Sequence, residues 1–146
     1  MPPRVRQNLV SVRLPLPPSV NAAFASRGHS HRTAKTAAYR FWWQQVCDTL
    51  GDFDKLPMFR NGRYCLWIDL PKNMKGDSDN RTKLISDVLR APSVANQARE
   101  GLAIVVDDAD MRDHMVHMCD GLPNDQCIAT VVAEADWPGY VMMRIG

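Results

Sequence analysis

Alternating hydrophobic and polar residues indicate two β-strands, each with a buried face. The first covers residues 8–16 and stops at two consecutive prolines, whose nitrogens cannot donate ladder hydrogen bonds. The second covers residues 63–70. Residues 112–118 and 127–133 are also predicted to be strands, and the apolar run 102–106 predicts a further one.

The segment of residues 33–50 has the spacing of an amphipathic helix, because apolar side chains recur at every fourth position. Thr33 can serve as its N-cap, and Gly51 as its stop. We expect Trp42 and Trp43 in the core or at a dimer contact rather than as platforms for stacked bases. The small, polar and basic stretch between the first strand and this helix is predicted to be a loop.

A second helix is predicted over residues 78–90, where four apolar side chains form one stripe: Leu84, Ile85, Val88 and Leu89. Residues 93–100 are compatible with a further short helix. The order of strands and helices predicts an α+β fold with a mixed β-sheet packed by two main helices. A chain of 146 residues can bury a substantial core, so we expect residues 1–146 to form a single domain.

Charge is distributed unevenly along the chain, although the formal net charge is only +2. Residues 1–40 carry seven Lys or Arg residues and no acidic residue, whereas residues 101–146 carry eight acidic and two basic residues. A basic segment together with carboxylates concentrated elsewhere is typical of proteins that bind nucleic acid or phosphate. A solvated basic surface gives the same pattern, so charge alone does not decide between the two.

The cysteines are expected to be structural thiols, because no C-x-x-C pair or zinc-finger spacing to histidine occurs among Cys47, Cys65, Cys119 and Cys127. His114 and His117 are three residues apart in a predicted strand, so they should point to opposite sides and make a poor metal pair. No apolar stretch at the N-terminus resembles a signal peptide or a membrane span. We therefore expect a cytoplasmic protein that makes no membrane contact.

The most informative motif is G-D-S-D-N-R-T-K, which follows the second predicted strand. Asp77 falls in the loop before the second helix, and Asp79 falls at the N-cap or in the first turn, next to Asn80. Lys83 and Asp87 follow Asp79 at i+4 and i+8, on the helix face opposite the apolar stripe. Two carboxylates at such a corner predict one side of a metal site.

A third carboxylate is expected directly after the apolar run, from Asp108 or from its neighbour Asp107. Oxygen ligands favour Mg²⁺, with Mn²⁺ as a possible substitute. A metal held this way suits phosphodiester hydrolysis, in which Lys83 would stabilise negative charge or hold the water and Asn80 would orient a carboxylate. Helix capping and an ordinary pair of Lys83 with Asp87 explain the same residues without a metal.

Three separated motifs resemble the RusA family of phage and bacterial Holliday-junction resolvases: L-P-L-P-P-S-V-N at 14–21, D-S-D-N-R-T-K followed by S-D-V-L within 77–89, and V-V-D-D-A-D at 105–110. The resemblance implies a RusA-like, Mg²⁺-dependent homodimer, encoded by a phage or a bacterium, that resolves four-way DNA junctions by paired nicks in recombination and repair. It places the essential acids at Asp77, Asp79 and Asp108 and the functionally important lysine at Lys83.

Backbone phosphates of the junction would then meet five basic residues: Arg27, Arg32, Lys35, Lys72 and Lys75. Asn80, Asp87 and Asp107 would support the metal ligands. The approach to Asp77, P-K-N-M-K-G, departs from the family's arginine-rich pattern, and an insertion lies near residues 92–104. Two alternatives therefore stay open: a catalytically silent protein that binds four-way junctions, and a nuclease that cuts flaps and other branched DNA more broadly.

Overall fold

A four-stranded β-sheet forms the centre of the fold. The structure, a computed structural model, describes residues 4–19, 23–27, 30–60, 62–74, 79–92 and 100–146, with residues 24–27, 30–35 and 79–80 described by their backbone alone. The strands are β1 (Arg6–Gln7), β2 (Leu9–Pro15), β3 (Phe24–Arg27), β4 (Ser30–Lys35), β5 (Met58–Phe59), β6 (Tyr64–Pro71), β7 (Met111–Cys119) and β8 (Gln126–Ala133). The α-helices are α1 (Ala37–Leu50), α2 (Asp79–Leu89) and α3 (Trp137–Ile145).

The strand order in the central sheet is β2-β8-β6-β7. Strand β8 pairs antiparallel with β2 and with β6, whereas β6 and β7 are parallel. Two smaller pairs accompany the sheet: β1 runs parallel to β5, and β3 with β4 forms an antiparallel hairpin. The fold is therefore α+β with a mixed sheet, as the order of predicted elements indicated.

Both faces of the sheet are covered at β6, so every residue of β6 is buried, whereas the edge strand β7 has no buried residue. On one face, Leu66 and Ile68 belong to the main core, to which α1 contributes Trp42 and α2 contributes its apolar stripe. On the other face, Trp67 packs against Trp137 of α3. The expected core position of Trp42 is confirmed, and its indole Nε1 donates to the carbonyl of Pro15 over 2.8 Å.

The N-terminal part of the chain differs from the prediction of a loop followed by a helix from Thr33. Within that stretch, the hairpin of β3 and β4 pairs Ser26 with Thr33, so the strand continues to Lys35. Helix α1 begins only at Ala37, and Thr36 is the N-cap, its side chain accepting from the backbone N–H of Tyr39. Thr33 and Thr36 are equally good caps, and strand pairing decides between them.

The predicted ends of the two main helices are largely confirmed. Gly51 ends α1 with a φ of 67°, a conformation that glycine adopts without steric cost, and its N–H bonds to the carbonyl of Cys47. Helix α2 covers 79–89 and buries the whole predicted stripe. The short helix considered for 93–100 falls almost entirely outside the described residues.

The predicted strand at 102–106 does not form. Its backbone N–H groups instead satisfy carbonyls at the end of α2: Leu102 bonds to Val88 over 2.7 Å, and Ile104 bonds to Leu89 over 2.9 Å. The last carbonyls of a helix lack partners within the helix, so this run caps α2 rather than extending a sheet. Ala103 adopts a positive φ of 53° within it.

The C-terminal residues form a third helix that the sequence analysis did not predict. Pro138 lies in the first turn of α3, where its missing N–H costs no helical hydrogen bond. Trp137 is buried against the sheet, so this segment packs on its own chain. None of the described helices is both long and apolar enough to cross a membrane.

Candidate functional site

The candidate site lies around α2 and the short acidic turn that precedes β7. The buried stripe of α2 fixes the opposite face of the helix toward solvent. Asp79 and Asn80 begin the helix, as expected, but only their backbone is described. Asp77 and Lys75 lie outside the described residues, so the structure leaves their predicted roles untested.

The polar face of α2 carries the predicted pair of Lys83 with Asp87. Lys83 Nζ donates to Asp87 Oδ2 over 3.1 Å, one helical turn away. The lysine side chain is 62% exposed, so the pair resembles an ordinary surface contact and leaves the ammonium within reach of a ligand. The predicted placement of these two residues on one face is confirmed, whereas their roles remain predictions.

An acidic turn, formed by residues 107–110, lies at the other side of the candidate site. Residues Asp108–Asp110 form a single 3₁₀ turn, and Asp107 caps it by accepting from the backbone N–H of Ala109 over 3.0 Å. This hydrogen bond lowers the pKa of Asp107, and the neighbouring Asp108 side chain and the Arg90 charge lower it further. Asp107 is therefore ionised and ready to act as an oxygen donor.

Arg90 connects the turn to α2. Its Nη1 lies 3.0 Å from Oδ2 of Asp108, and both side chains are partly buried. Arg90 directly follows α2, so the contact joins the end of the helix to the turn. Among the described residues, Arg90 Nε has no hydrogen-bond partner. The sequence analysis missed this residue, because nothing in the spacing of residues 90 and 108 distinguishes Arg90 from other arginines.

The pKa values of two buried tyrosines, Tyr64 and Tyr39, are raised by burial and are also affected by the charges of the candidate site. Burial chiefly raises the pKa of Tyr64, and the negative charges of Asp108, Asp110 and Asp107 raise it further while Arg90 opposes them. Burial likewise dominates the raised pKa of Tyr39, with Asp87 adding to it and Arg90 again opposing. Arg90 thus lies between the acidic turn and the polar face of α2.

An open groove of about 540 Å³ lies between the polar face of α2 and the start of β7. Six residues line it: Thr82, Lys83, Ser86, Asp87, Met111 and His114. Met111 and His114 come from the start of β7, directly after the acidic turn. The groove gives an extended ligand access to Lys83, and His114 is a lining residue that the sequence analysis did not assign to the site.

Arg81 ties the first turn of α2 to the proline-rich segment that follows β2. Its Nη1 donates to the carbonyl oxygen of Pro17. Burial lowers the pKa of this guanidinium, which nevertheless stays charged. Two of the three motifs that suggested a function, L-P-L-P-P-S-V-N and D-S-D-N-R-T-K, therefore touch each other in space.

The basic residues expected to contact DNA are only partly described. Arg27, Arg32 and Lys35 lie on the hairpin of β3 and β4, where the backbone alone is described. Lys72 follows β6 and pairs with Asp120 over 3.5 Å, with both side chains mostly exposed. Of the five basic residues expected to contact DNA, Lys72 is the one whose side chain the structure describes, and its exposed ammonium is available for phosphate contact.

The acidic turn supplies two carboxylates of the kind that Mg²⁺ prefers. Asp107 is ionised, and Asp108 contacts Arg90 through Oδ2, so Oδ1 is a second carboxylate oxygen at the same turn. Asp77 lies outside the described residues and the Asp79 side chain is not described, so the magnesium site remains a prediction. Whether Asp107 or Asp108 is the better ligand stays open, since one is a cap and the other an ion-pair partner.

A comparison of the chain with models of known protein families finds no match, and a comparison with curated protein sequences finds no significant one.

Proposed function

We propose that this chain is a RusA-like, divalent-metal-dependent endonuclease that cuts four-way DNA junctions, as a cytoplasmic homodimer of phage or bacterial origin. The observation that carries the proposal is the ion pair of Arg90 with Asp108. It holds the acidic turn against α2, the helix that begins at Asp79 and carries Lys83. This contact supports a common site for the acidic turn and the polar face of α2, which are distant in sequence.

In the proposed nuclease, each residue of the site has a separate role in binding the metal or the phosphate. Asp79 and Asp108, with Asp77, would hold Mg²⁺, which polarises a phosphoryl oxygen and activates water. Lys83 borders the groove, where its exposed ammonium can donate to the negative charge that develops on the scissile phosphate. Asp87 keeps Lys83 in place through their hydrogen bond. Asn80 and Asp107 would orient the metal-binding carboxylates.

Binding of the junction would depend mainly on phosphate contacts. Lys72 and the basic positions of the β3–β4 hairpin can supply these, so affinity should fall as salt rises. A homodimer with two-fold symmetry would present two equivalent sites to the two equivalent strands of a junction. Light scattering of the purified chain should accordingly give the mass of a dimer.

The decisive experiment incubates the protein and Mg²⁺ with a synthetic four-way junction labelled on each strand. We expect paired symmetric nicks that require the metal and that Asp108→Asn abolishes while junction binding survives. Asp125→Asn, which changes an exposed carboxylate in the turn before β8, is the matched control and should cut normally. If no divalent ion supports cleavage, the nuclease proposal is wrong; if flaps and forks are cut equally well, the broader nuclease is favoured.

One observation favours the catalytically silent alternative. The Arg90 guanidinium is bonded to Asp108, the carboxylate that would otherwise hold the metal. If this contact persists on DNA, the site would bind junctions without cutting them. Cleavage by the wild-type chain separates the two, because a nuclease cuts once a divalent ion displaces Arg90 from Asp108, whereas a silent protein binds the junction and does not cut it with any divalent ion.

A further inference from the structure

A second cluster of reactive side chains lies on the face of the sheet that α3 covers. Asp69 on β6 and His117 on β7 are register partners in the parallel pair, and Cys119 follows two residues later on the same face of β7. One ligand atom of each residue (a carboxylate oxygen, an imidazole nitrogen and a thiol sulfur) lies within 4.8 Å of the other two. The cluster is on the opposite face from Leu66 and Ile68, which belong to the core under α1 and α2.

Asp69 is the buried centre of the cluster, with 3% of its surface exposed. Its Oδ1 receives Nη2 of Arg144 at 2.6 Å and Nε1 of Trp67 at 3.1 Å, and it lies 2.9 Å from Nδ1 of His117. Oδ2 takes part in none of these three contacts. A buried carboxylate needs such compensation, because an unpaired charge in the interior is strongly unfavourable.

Structural contacts account for part of the cluster. Arg144 lies on α3, so its contact with Asp69 attaches that helix to the sheet, and His117 contacts both the Asp69 carboxylate and the ring of Trp67. The Cys119 thiol on the outer strand adds nothing to these contacts, although it lies close to both Asp69 and His117. His117 is 45% exposed and Cys119 is partly exposed, so a solvent ion can reach both without the fold opening.

We propose that Asp69, His117 and Cys119 form a second metal site, for a divalent ion of the Zn²⁺ class. Thiolate and imidazole select Zn²⁺ over Mg²⁺, and three protein ligands leave a fourth position open to solvent. Coordination releases the Cys119 thiol proton to solvent and breaks the hydrogen bond that Sγ donates to the carbonyl of Asp120. Arg144 competes with the ion for Asp69, because both supply positive charge to the same carboxylate.

The proposal can be tested by titrating the metal-free full-length chain with Co²⁺, a coloured substitute for Zn²⁺. We expect thiolate-to-cobalt charge-transfer absorption that saturates at one ion per chain. Cys119→Ser should abolish this band, and His117→Gln should raise the Kd for Co²⁺ by at least about 10-fold, the size of effect known even for residues that merely support metal ligands. Cys47→Ser is the matched control, since Cys47 is a partly exposed thiol on α1.

The competition with Arg144 gives a second readout. Arg144→Gln, checked for folding by circular dichroism, should lower the Kd for Co²⁺, because the guanidinium no longer competes with the ion for the Asp69 carboxylate. A wild-type chain that shows no charge-transfer band, or a band that Cys47→Ser removes and Cys119→Ser does not, would overturn the proposal. Asp108→Asn should leave the band intact, so the outcome is independent of the nuclease proposal.

Discussion

Arg90 and Asp108 lie 18 residues apart in the sequence, and their side chains meet at 3.0 Å. This contact attaches the acidic turn to the end of α2. Arg90 lies directly after that helix, and Asp108 lies in the short 3₁₀ turn before β7. The ion pair thus adds a side-chain contact to the backbone hydrogen bonds by which the run 102–106 attaches the acidic turn to the end of α2.

Replacing Arg90 by alanine should lower the free energy of unfolding by about 1 to 2 kcal/mol, because a hydrogen bond between charged groups is lost and Asp108 is left partly buried. The exposed pair of Lys72 with Asp120 is the matched comparison, and Lys72→Ala should cost less than about 0.5 kcal/mol. Urea denaturation measures both. Equal losses would mean that burial does not strengthen the Arg90 pair.

Replacing Lys83 by alanine should slow junction cleavage by about 100-fold, the effect expected when a donor to developing charge is removed. Stability should change by no more than about 0.5 kcal/mol, since the pair with Asp87 is a surface helix contact. Single-turnover cleavage rates test this. Lys55→Ala, on an exposed turn outside the groove, should cut at the wild-type rate, and a Lys83→Ala rate equal to it would contradict the assigned role.

Replacing Arg144 by glutamine should destabilise the chain by about 3 kcal/mol, because the buried Asp69 carboxylate loses its cationic partner. The double variant Asp69→Asn with Arg144→Gln should recover part of this loss, since the unpaired charge is then absent. Thermal or urea unfolding of the wild type and the three variants gives the coupling. Additive losses would show that the two side chains do not stabilise each other.

Stability should fall as the pH rises above about 9 toward 12. Burial raises the pKa of the Cys127 thiol from 9.0 to about 12, so the folded state keeps a proton that the unfolded state releases in this range. Each pH unit within that window removes up to about 1.4 kcal/mol per such group. Cys127→Ala should flatten the decline between pH 9 and 10, as measured by urea denaturation, and an unchanged slope would exclude Cys127 as its source.

The positions of the sheet and of α2 could be predicted, because local periodicity and burial agree there. The stripe of α2 is fully buried, and the strands at both ends of the chain match the expected segments. The run at 102–106 could not be predicted, since Leu102, Ile104 and Val105 are buried as core residues while the backbone N–H groups of the run donate to carbonyls at the end of α2. The sequence alone does not show which backbone carbonyls at the end of a helix will need a hydrogen-bond donor from another segment.

The site was predictable only where its residues share a helix. Lys83 and Asp87 follow from helical spacing, whereas Arg90 meets Asp108 through a tertiary contact that no local pattern encodes. In the sequence, Asp69 is one polar position of an alternating strand. Its burial depends on α3, a helix that was not predicted. The role of each motif acid in cleavage remains a prediction.

The run at 102–106 caps α2. The position of the acidic turn therefore does not depend on the number of residues between the end of α2 and that run. Gly101 belongs to this arrangement, because a Cβ there would collide with the backbone of Arg90 and lie 3.0 Å from the nitrogen of Pro92. The acidic turn is thus positioned by the hydrogen bonds of the run 102–106, which directly precedes it, rather than by residues 93–99. We therefore expect that a change in the number of residues at 93–99 leaves the contact of Asp108 with Arg90 in place, since the hydrogen bonds of the run 102–106 follow that stretch.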